Sequence, residues 1–177
     1  MNISDKELKF FSRQLILNDF SEENLNFIRK QEIILIGIGG IGCPIAQYLI
    51  SSGVKNLTLI DKDIIEINNL NRQILYNEKD IGKNKAQVAK EKLDSINNKN
   101  NILSISEYIS EKNISKYLSK ASLVIDTTDN WNSMVLINEY CVKKYIPLLS
   151  CSAINYDGQI ILFENSQKKH LCLRCIY

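Results

Sequence analysis

Short aliphatic runs alternate along this chain with stretches in which apolar residues recur every three or four positions. Ile33-Ile34-Leu35-Ile36 is continuously apolar and ends in glycine, the mark of a strand buried on both faces. Further strands are predicted at Asn56-Leu57-Thr58-Leu59-Ile60-Asp61, Ile102 to Glu107, Leu123-Val124-Ile125-Asp126 and Ile146-Pro147-Leu148-Leu149-Ser150. A sixth, Gln159 to Phe163, is entered through a turn at Asp157-Gly158, which lets it run antiparallel to its neighbour.

Helical spacing fills the intervals. Residues 5–17 place Leu8, Phe11 and Leu15 on one side. Ser21 caps a short helix to about Lys30. The helix with Pro44 in its first turn ends near Gly53. Residues 83–97 carry Ala86, Ala89, Leu93 and Ile96 on one face, and another helix runs from Trp131 to Lys144. The polar patch at 97–101 reads as a loop. Alternating strands and helices predict an α/β fold, a Rossmann-like doubly wound and mostly parallel sheet with helices on both faces. The expected organisation is a single domain over 1–177, with a helical N-terminal extension at 1–30 and the core at 31–177.

Composition narrows the function classes. A net charge of +2 makes no case for nucleic acid or a membrane surface, and no apolar run approaches the roughly 18 residues of a membrane span. The polar N-terminus lacks the apolar centre of a signal peptide. Five cysteines, an odd number with one close pair, read as reduced thiols in a cytoplasmic protein. Of 22 basic residues only Arg13, Arg29, Arg72 and Arg174 are arginines, so they are candidates for places where a planar forked donor is wanted; Arg13 and Arg72 are each followed by glutamine and an apolar run.

Candidate chemistry begins at Gly37-Ile38-Gly39-Gly40-Ile41-Gly42, which follows one strand and opens a helix. Glycine lets backbone approach phosphate oxygens, and the helix start offers N–H donors. Asp61 ends the next strand, where a carboxylate can accept both ribose hydroxyls. This fingerprint does not separate NAD, FAD and ATP. Asp63, Asn69, Arg72, Gln73 and Lys85 each have a bland reading as turn or surface residues. Together they supply a forked cation, a point cation and two amides, a set suited to a β,γ-phosphate tail. Asp129 follows the fourth strand, where a carboxylate beside a triphosphate suggests Mg²⁺; it is also placed to cap the helix at 131.

Arg13-Gln14, the glycine turn, Asp61-Lys62-Asp63, Asn69-Leu70-Asn71-Arg72-Gln73, Lys85, Thr127-Thr128-Asp129-Asn130 and Cys172-Leu173-Arg174-Cys175 occur in the order found in the ThiF/MoeB/HesA family, bacterial relatives of ubiquitin-activating enzymes. The resemblance covers essentially the whole chain. It implies an adenylyltransferase that binds Mg-ATP and activates the C-terminal glycine of a ubiquitin-like sulfur carrier, ThiS- or MoaD-like, for thiamine or molybdenum-cofactor biosynthesis. By the same resemblance Asp61 holds the ribose, and Asn69, Arg72, Gln73 and Lys85 hold the phosphates. Asp129 sits at the magnesium, and Arg13 reaches across a homodimer into the partner's site. Arg13, Arg72, Lys85 and Asp129 form the expected catalytic group. The reaction is attack of a carboxylate on the α-phosphorus, which needs positioning and charge neutralisation rather than a protein nucleophile.

Cys172 and Cys175 match half of a family zinc site whose second Cys-x-x-Cys pair lies downstream. Two thiols alone bind Zn²⁺ weakly unless another chain completes the site. The sequence stops two residues after Cys175 and reads as a truncated member of the family, without the crossover segment and its reactive cysteine. Family members acting on modified adenosine in tRNA usually lack this cysteine pair, so its presence favours the sulfur-carrier branch. The single histidine, His170, reads as part of a polar turn. Two other readings stay open: a nucleotide-binding or dimerising remnant without turnover, and an NAD(P)-dependent oxidoreductase that leaves Arg72, Lys85 and Asp129 unexplained.

Overall fold

A computed structural model describes residues 3–96, 100–165 and 172–176. Its centre is a six-stranded sheet in the order β3-β2-β1-β4-β5-β6. The strands are β1 (Glu32–Ile36), β2 (Asn56–Ile60), β3 (Asn101–Ile105), β4 (Leu123–Asp126), β5 (Leu148–Ile154) and β6 (Asp157–Phe163). All neighbours pair parallel except β5 and β6.

Strand alternation divides the core in two. Ile33 and Leu35 of β1 face a cluster that includes Cys43, Ala46 and Ile50 of α4 (Gly42–Ser51) and Ala86, Ala89 and Leu93 of α5 (Lys85–Ile96). Ile34 and Ile36 face the opposite way, onto Ile114 and Leu118 of α6 (Ile114–Leu118) and Ile137 and Cys141 of α7 (Trp131–Lys144). Helices therefore cover both faces, as the unbroken apolar run of β1 requires. Fully burying such an aliphatic side chain stabilises by about 1.5–3 kcal/mol. The short α8 (Leu173–Ile176) docks on α7, where the Leu173 N–H donates to Asn138 Oδ1 at 3.0 Å.

The N-terminal extension folds differently from its periodicity. The predicted helix at 5–17 is broken at Phe11 into α1 (Asp5–Phe10) and α2 (Ser12–Leu15). Phe11 turns inward with Ile3 and Leu25 into a small third core, while Leu8 is exposed. Burial of one large aromatic ring outweighs continuity of a short helix. The next helix, α3 (Glu22–Arg29), is capped by Ser21 as expected. Arg29 pins the extension through an ion pair to Glu7 at 3.1 Å and by lying over the Phe11 ring.

Other boundaries shift. The β5–β6 turn lies at Asn155-Tyr156, because Asn155 takes φ +56° and closes the hairpin before Asp157 and Gly158, which pair within β6. Asparagine tolerates that left-handed conformation better than most residues. Asn101 opens β3 rather than belonging to a loop; 97–99 and His170 lie outside the described residues. Among the described residues no helix is long and apolar enough to cross a membrane.

Candidate functional site

The chain passes from β1 outward through β2 to β3, then returns to the other side of β1 at β4. Ligands of open α/β sheets settle in the crevice created by that reversal, at the carboxyl ends of the strands. Here the glycine turn leaves β1 between the ends of β2 and β4. Gly37 N–H donates to Ile60 O at 2.9 Å, and Thr127 Oγ1 donates to Gly37 O at 2.5 Å.

Two of the glycines are required by packing. A Cβ on Gly42 would lie 2.0 Å from the carbonyl oxygen of Gly37, and Gly37 has φ +88° with a Cβ position only 2.9 Å from Thr127 O. The middle pair is different. A Cβ on Gly39 would meet only Gln73 Nε2 at 3.8 Å, and one on Gly40 only the Arg72 side chain, at 3.4 Å and beyond. Gly39 and Gly40 therefore leave a cradle whose far wall is Arg72 and Gln73.

Asp61, at the end of β2, faces this turn. Its Oδ2 accepts the Ile38 N–H at 2.7 Å and its Oδ1 accepts the Asp63 N–H at 2.8 Å. Burial raises its pKa above the ordinary carboxylate value, while those two N–H groups and Lys85 oppose the rise. Lys85 is the first residue of α5 and is buried; its Nζ reaches Asp63 Oδ2 at 3.1 Å. The lysine is thus held as a cation near the turn rather than solvated on a helix face.

Arg72 and Gln73 follow a single 3₁₀ turn at Ile67–Asn69. Asn69 is buried and braces that turn. Its Oδ1 accepts the Glu66 N–H, its Nδ2 donates to Asn68 Oδ1, and its carbonyl accepts the Arg72 and Gln73 N–H groups. Among the described residues, one of its amide hydrogens has no partner and is available to a ligand. Arg72 spends Nη1 on Asn68 O and Asn71 Oδ1 and, among the described residues, keeps the rest of its exposed fork open. Gln73 is buried, and among the described residues its Oε1 has no hydrogen-bond partner. A buried polar atom without a partner costs about 1–3 kcal/mol, a cost that a polar ligand in the cradle would relieve.

On the β4 side, Asp126 is buried and accepts both the N–H and the Oγ1 hydrogen of Thr128, at 3.0 and 2.7 Å. Burial lifts its pKa to about 6 against those hydrogen bonds. The expected capping role of Asp129 falls instead to Asn130, whose Oδ1 accepts the Ser133 N–H at 3.2 Å. Asp129 is exposed at the crevice and, among the described residues, makes no hydrogen bond or ion pair, which frees a hard oxygen donor for a divalent cation.

Three predicted residues stand apart. Arg13 is exposed on α2, and its neighbour Gln14 donates to Ser52 O, just past the last turn of α4. That contact is at the C-terminal end of α4, a ten-residue helix about 15 Å long whose N-terminal end carries the glycine turn. Cys172 and Cys175 lie on the α7–α8 side with sulfurs 3.5 Å apart, close to the spacing of two thiolates on one tetrahedral zinc. Burial works against a low Cys172 pKa, but hydrogen bonds from Cys175 and from the Arg174 and Cys175 N–H groups outweigh it and lower the value. No cluster of three or more metal-ligating side chains occurs among the described residues.

Tyr76 is the residue that sequence reasoning missed most completely. It is buried, and its O–H is shared between Ile38 O at 3.0 Å and Lys85 O at 3.3 Å, tying the glycine turn to the start of α5. Nothing in an apolar Ile74-Leu75-Tyr76 run signals that role.

Known proteins resemble the chain along most of its length. The ThiF family matches residues 11–177. Adenylyltransferase and sulfurtransferase MOCS3 of Drosophila persimilis is 37% identical over 175 residues, 99% of this chain. Molybdopterin-synthase adenylyltransferase of Escherichia coli K12 is 33% identical over 174 residues, 98% of this chain. The chain spans 38% of the length of the first relative and 70% of the second. A crystal structure of the E. coli tRNA N6-threonylcarbamoyladenosine dehydratase TcdA in complex with AMP is similar with a TM-score of 0.79 at 30% identity, over 85% of this chain and 61% of that one.

Proposed function

The chain belongs to the ThiF family, and from that premise we propose that its crevice is an ATP-dependent adenylation site for the C-terminal carboxylate of a ubiquitin-like sulfur carrier, ThiS- or MoaD-like. One observation carries the reading. The cradle at Gly39 and Gly40 is walled by Arg72 and Gln73, beside a lysine fixed by Asp63 and an aspartate fixed by the turn itself. A hydride-transfer site needs the aspartate but gives no use to the fork and lysine beyond it.

Asp61 accepts the ribose hydroxyls. Arg72, Gln73, Lys85 and the free amide hydrogen of Asn69 hold the phosphate tail. The carrier carboxylate attacks the α-phosphorus, the bond to the β-phosphate oxygen breaks, and pyrophosphate leaves with the negative charge that Arg72 and Lys85 neutralise. Asp129 would hold Mg²⁺, which would supply further neutralisation of the phosphates. Arg13 lies on α2, whose Gln14 meets the end of α4 opposite the glycine turn, which supports a homodimer in which it serves the partner's site.

Carrier-dependent exchange of labelled pyrophosphate into ATP tests the proposal. The expected result is exchange that Arg72→Ala abolishes. ATP binding without exchange points to a nucleotide-binding unit without turnover, and NADH binding without ATP binding sinks the reading. The dimer has its own test: mixed Arg13→Ala and Arg72→Ala proteins should recover roughly a quarter of wild-type exchange, because half the dimers are hybrids with one intact site.

A further inference from the structure

The segments that carry Asp61, Asp63 and Lys85 converge on one side chain outside the phosphate-binding set. Asn84 Nδ2 donates one hydrogen to Asp61 O at 3.0 Å and the other to Asp63 O at 3.1 Å. Its Oδ1 accepts the Gln87 N–H at 3.1 Å, capping α5, and the Ser106 hydroxyl at 2.8 Å, at the exit of β3. Both hydrogens and both lone pairs of one amide are used.

The backbone follows the same seam. Lys85 N–H donates to Asp63 O at 2.9 Å, and Ile65 N–H donates to Lys83 O at 2.9 Å. Asn84 therefore stands where the end of β2, the following loop, the end of β3 and the start of α5 meet. Only asparagine fits all four contacts. Aspartate keeps both acceptors and loses both donors, serine keeps one of each, and glutamine is one carbon too long.

We infer that Asn84 is a positioning residue that fixes the distance between the ribose-facing carboxylate of Asp61 and the phosphate-facing cation of Lys85. Its role is carried entirely by Asp61, Asp63 and Lys85, and the inference rests on the nucleotide reading above. Asn84→Asp separates positioning from folding. Aspartate caps helices as well as asparagine, so α5 keeps its cap. Its carboxylate faces two carbonyl oxygens, which pushes the Asp61–Asp63 segment away from α5.

The test is titration of the protein with AMP and with ATP, alongside thermal melting. N84D should melt within about 4 °C of wild type. Its affinities for both nucleotides should fall about tenfold together, since ribose and phosphate contacts are both displaced. Lys85→Ala should weaken ATP more than AMP, which sets the contrast. N84D with wild-type affinities overturns the inference alone. Wild-type protein that binds neither nucleotide overturns the nucleotide reading and this inference with it. Should N84D not fold, Asn84→Ser gives the same comparison, and wild-type affinity in N84S overturns the inference.

Discussion

Asp61 and Asp126 occupy matching places on the two sides of β1. Each stands at the carboxyl end of a strand paired in parallel with it, and burial raises the pKa of both. Their partners differ. Asp61 is half-buried, bonds across 23 residues to the glycine turn, and has Lys85 nearby to favour its charge. Asp126 turns inward to its own loop, its carboxylate bonds among the described residues to Thr128 alone, and burial lifts its pKa to about 6. On the proposed reading, the same residue at the same kind of position reads a ligand on one side and forms a turn on the other. The surrounding charges and the facing segment decide which.

The largest effect expected along this edge belongs to Gly42→Ala. Its new Cβ would press on the Gly37 backbone oxygen, which cannot swing away as a side chain can. A loss of several kcal/mol in stability is expected, on the order of the cost of severe overpacking. Gly40→Ala meets only the flexible Arg72 side chain, so it should fold and lose nucleotide affinity instead. Parallel denaturant titrations of the two variants check this, and equal stability would break the distinction between turn and cradle.

Next in size, Asp61→Ala should reduce AMP affinity by about a hundredfold, the worth of one or two hydrogen bonds to a charged group. Asp126→Asn should leave AMP affinity within about twofold, because its carboxylate faces Thr128 rather than the cradle. Equal losses in both variants would show that the two aspartates share one role.

The pH dependence sharpens the same contrast. A folded-state pKa of about 6 for Asp126, above the ordinary 3.8, means that the folded protein holds this proton more tightly than the unfolded chain. Stability from this group therefore falls as pH rises from about 4 to 6, and the cost persists above that window. In D126N the stability at pH 7 relative to pH 4 should improve over wild type by up to about 3 kcal/mol. Superimposable pH curves for the two proteins would contradict it. The smallest effect is Tyr76→Phe, which removes the hydroxyl bridging Ile38 and Lys85 and should cost about 1 kcal/mol in thermal stability.

Much of this molecule is local and could be read from the chain. The unbroken run Ile33–Ile36 predicts a strand covered on both faces, and the structure covers it with α4 and α5 on one side and α6 and α7 on the other. The glycine spacing places a tight turn at the start of a helix because only glycine fits where Gly42 meets Gly37. The break at Phe11 was not legible, since helical spacing continues through it and a side chain from another helix, Leu25, decides where the ring goes. The cap at Asn130 rather than Asp129 was equally hidden, as both residues have the right chemistry and only the backbone, extended at Asn130 just before the helix, chooses between them.

Taken alone, the sequence determined the α/β alternation, the glycine turn, the acidic end of β2 and the cluster from Asn69 to Lys85, because dihedral preference, periodicity and residue chemistry act over a few neighbours. Only the tertiary structure decided that Asp61 faces the turn while Asp126 does not, and that Arg13 lies at the far end of α4. It alone gave Asn84 and Tyr76 their places between segments. Those outcomes depend on hydrogen bonds and burial between residues up to 38 positions apart, which exist only once the sheet has brought the segments together.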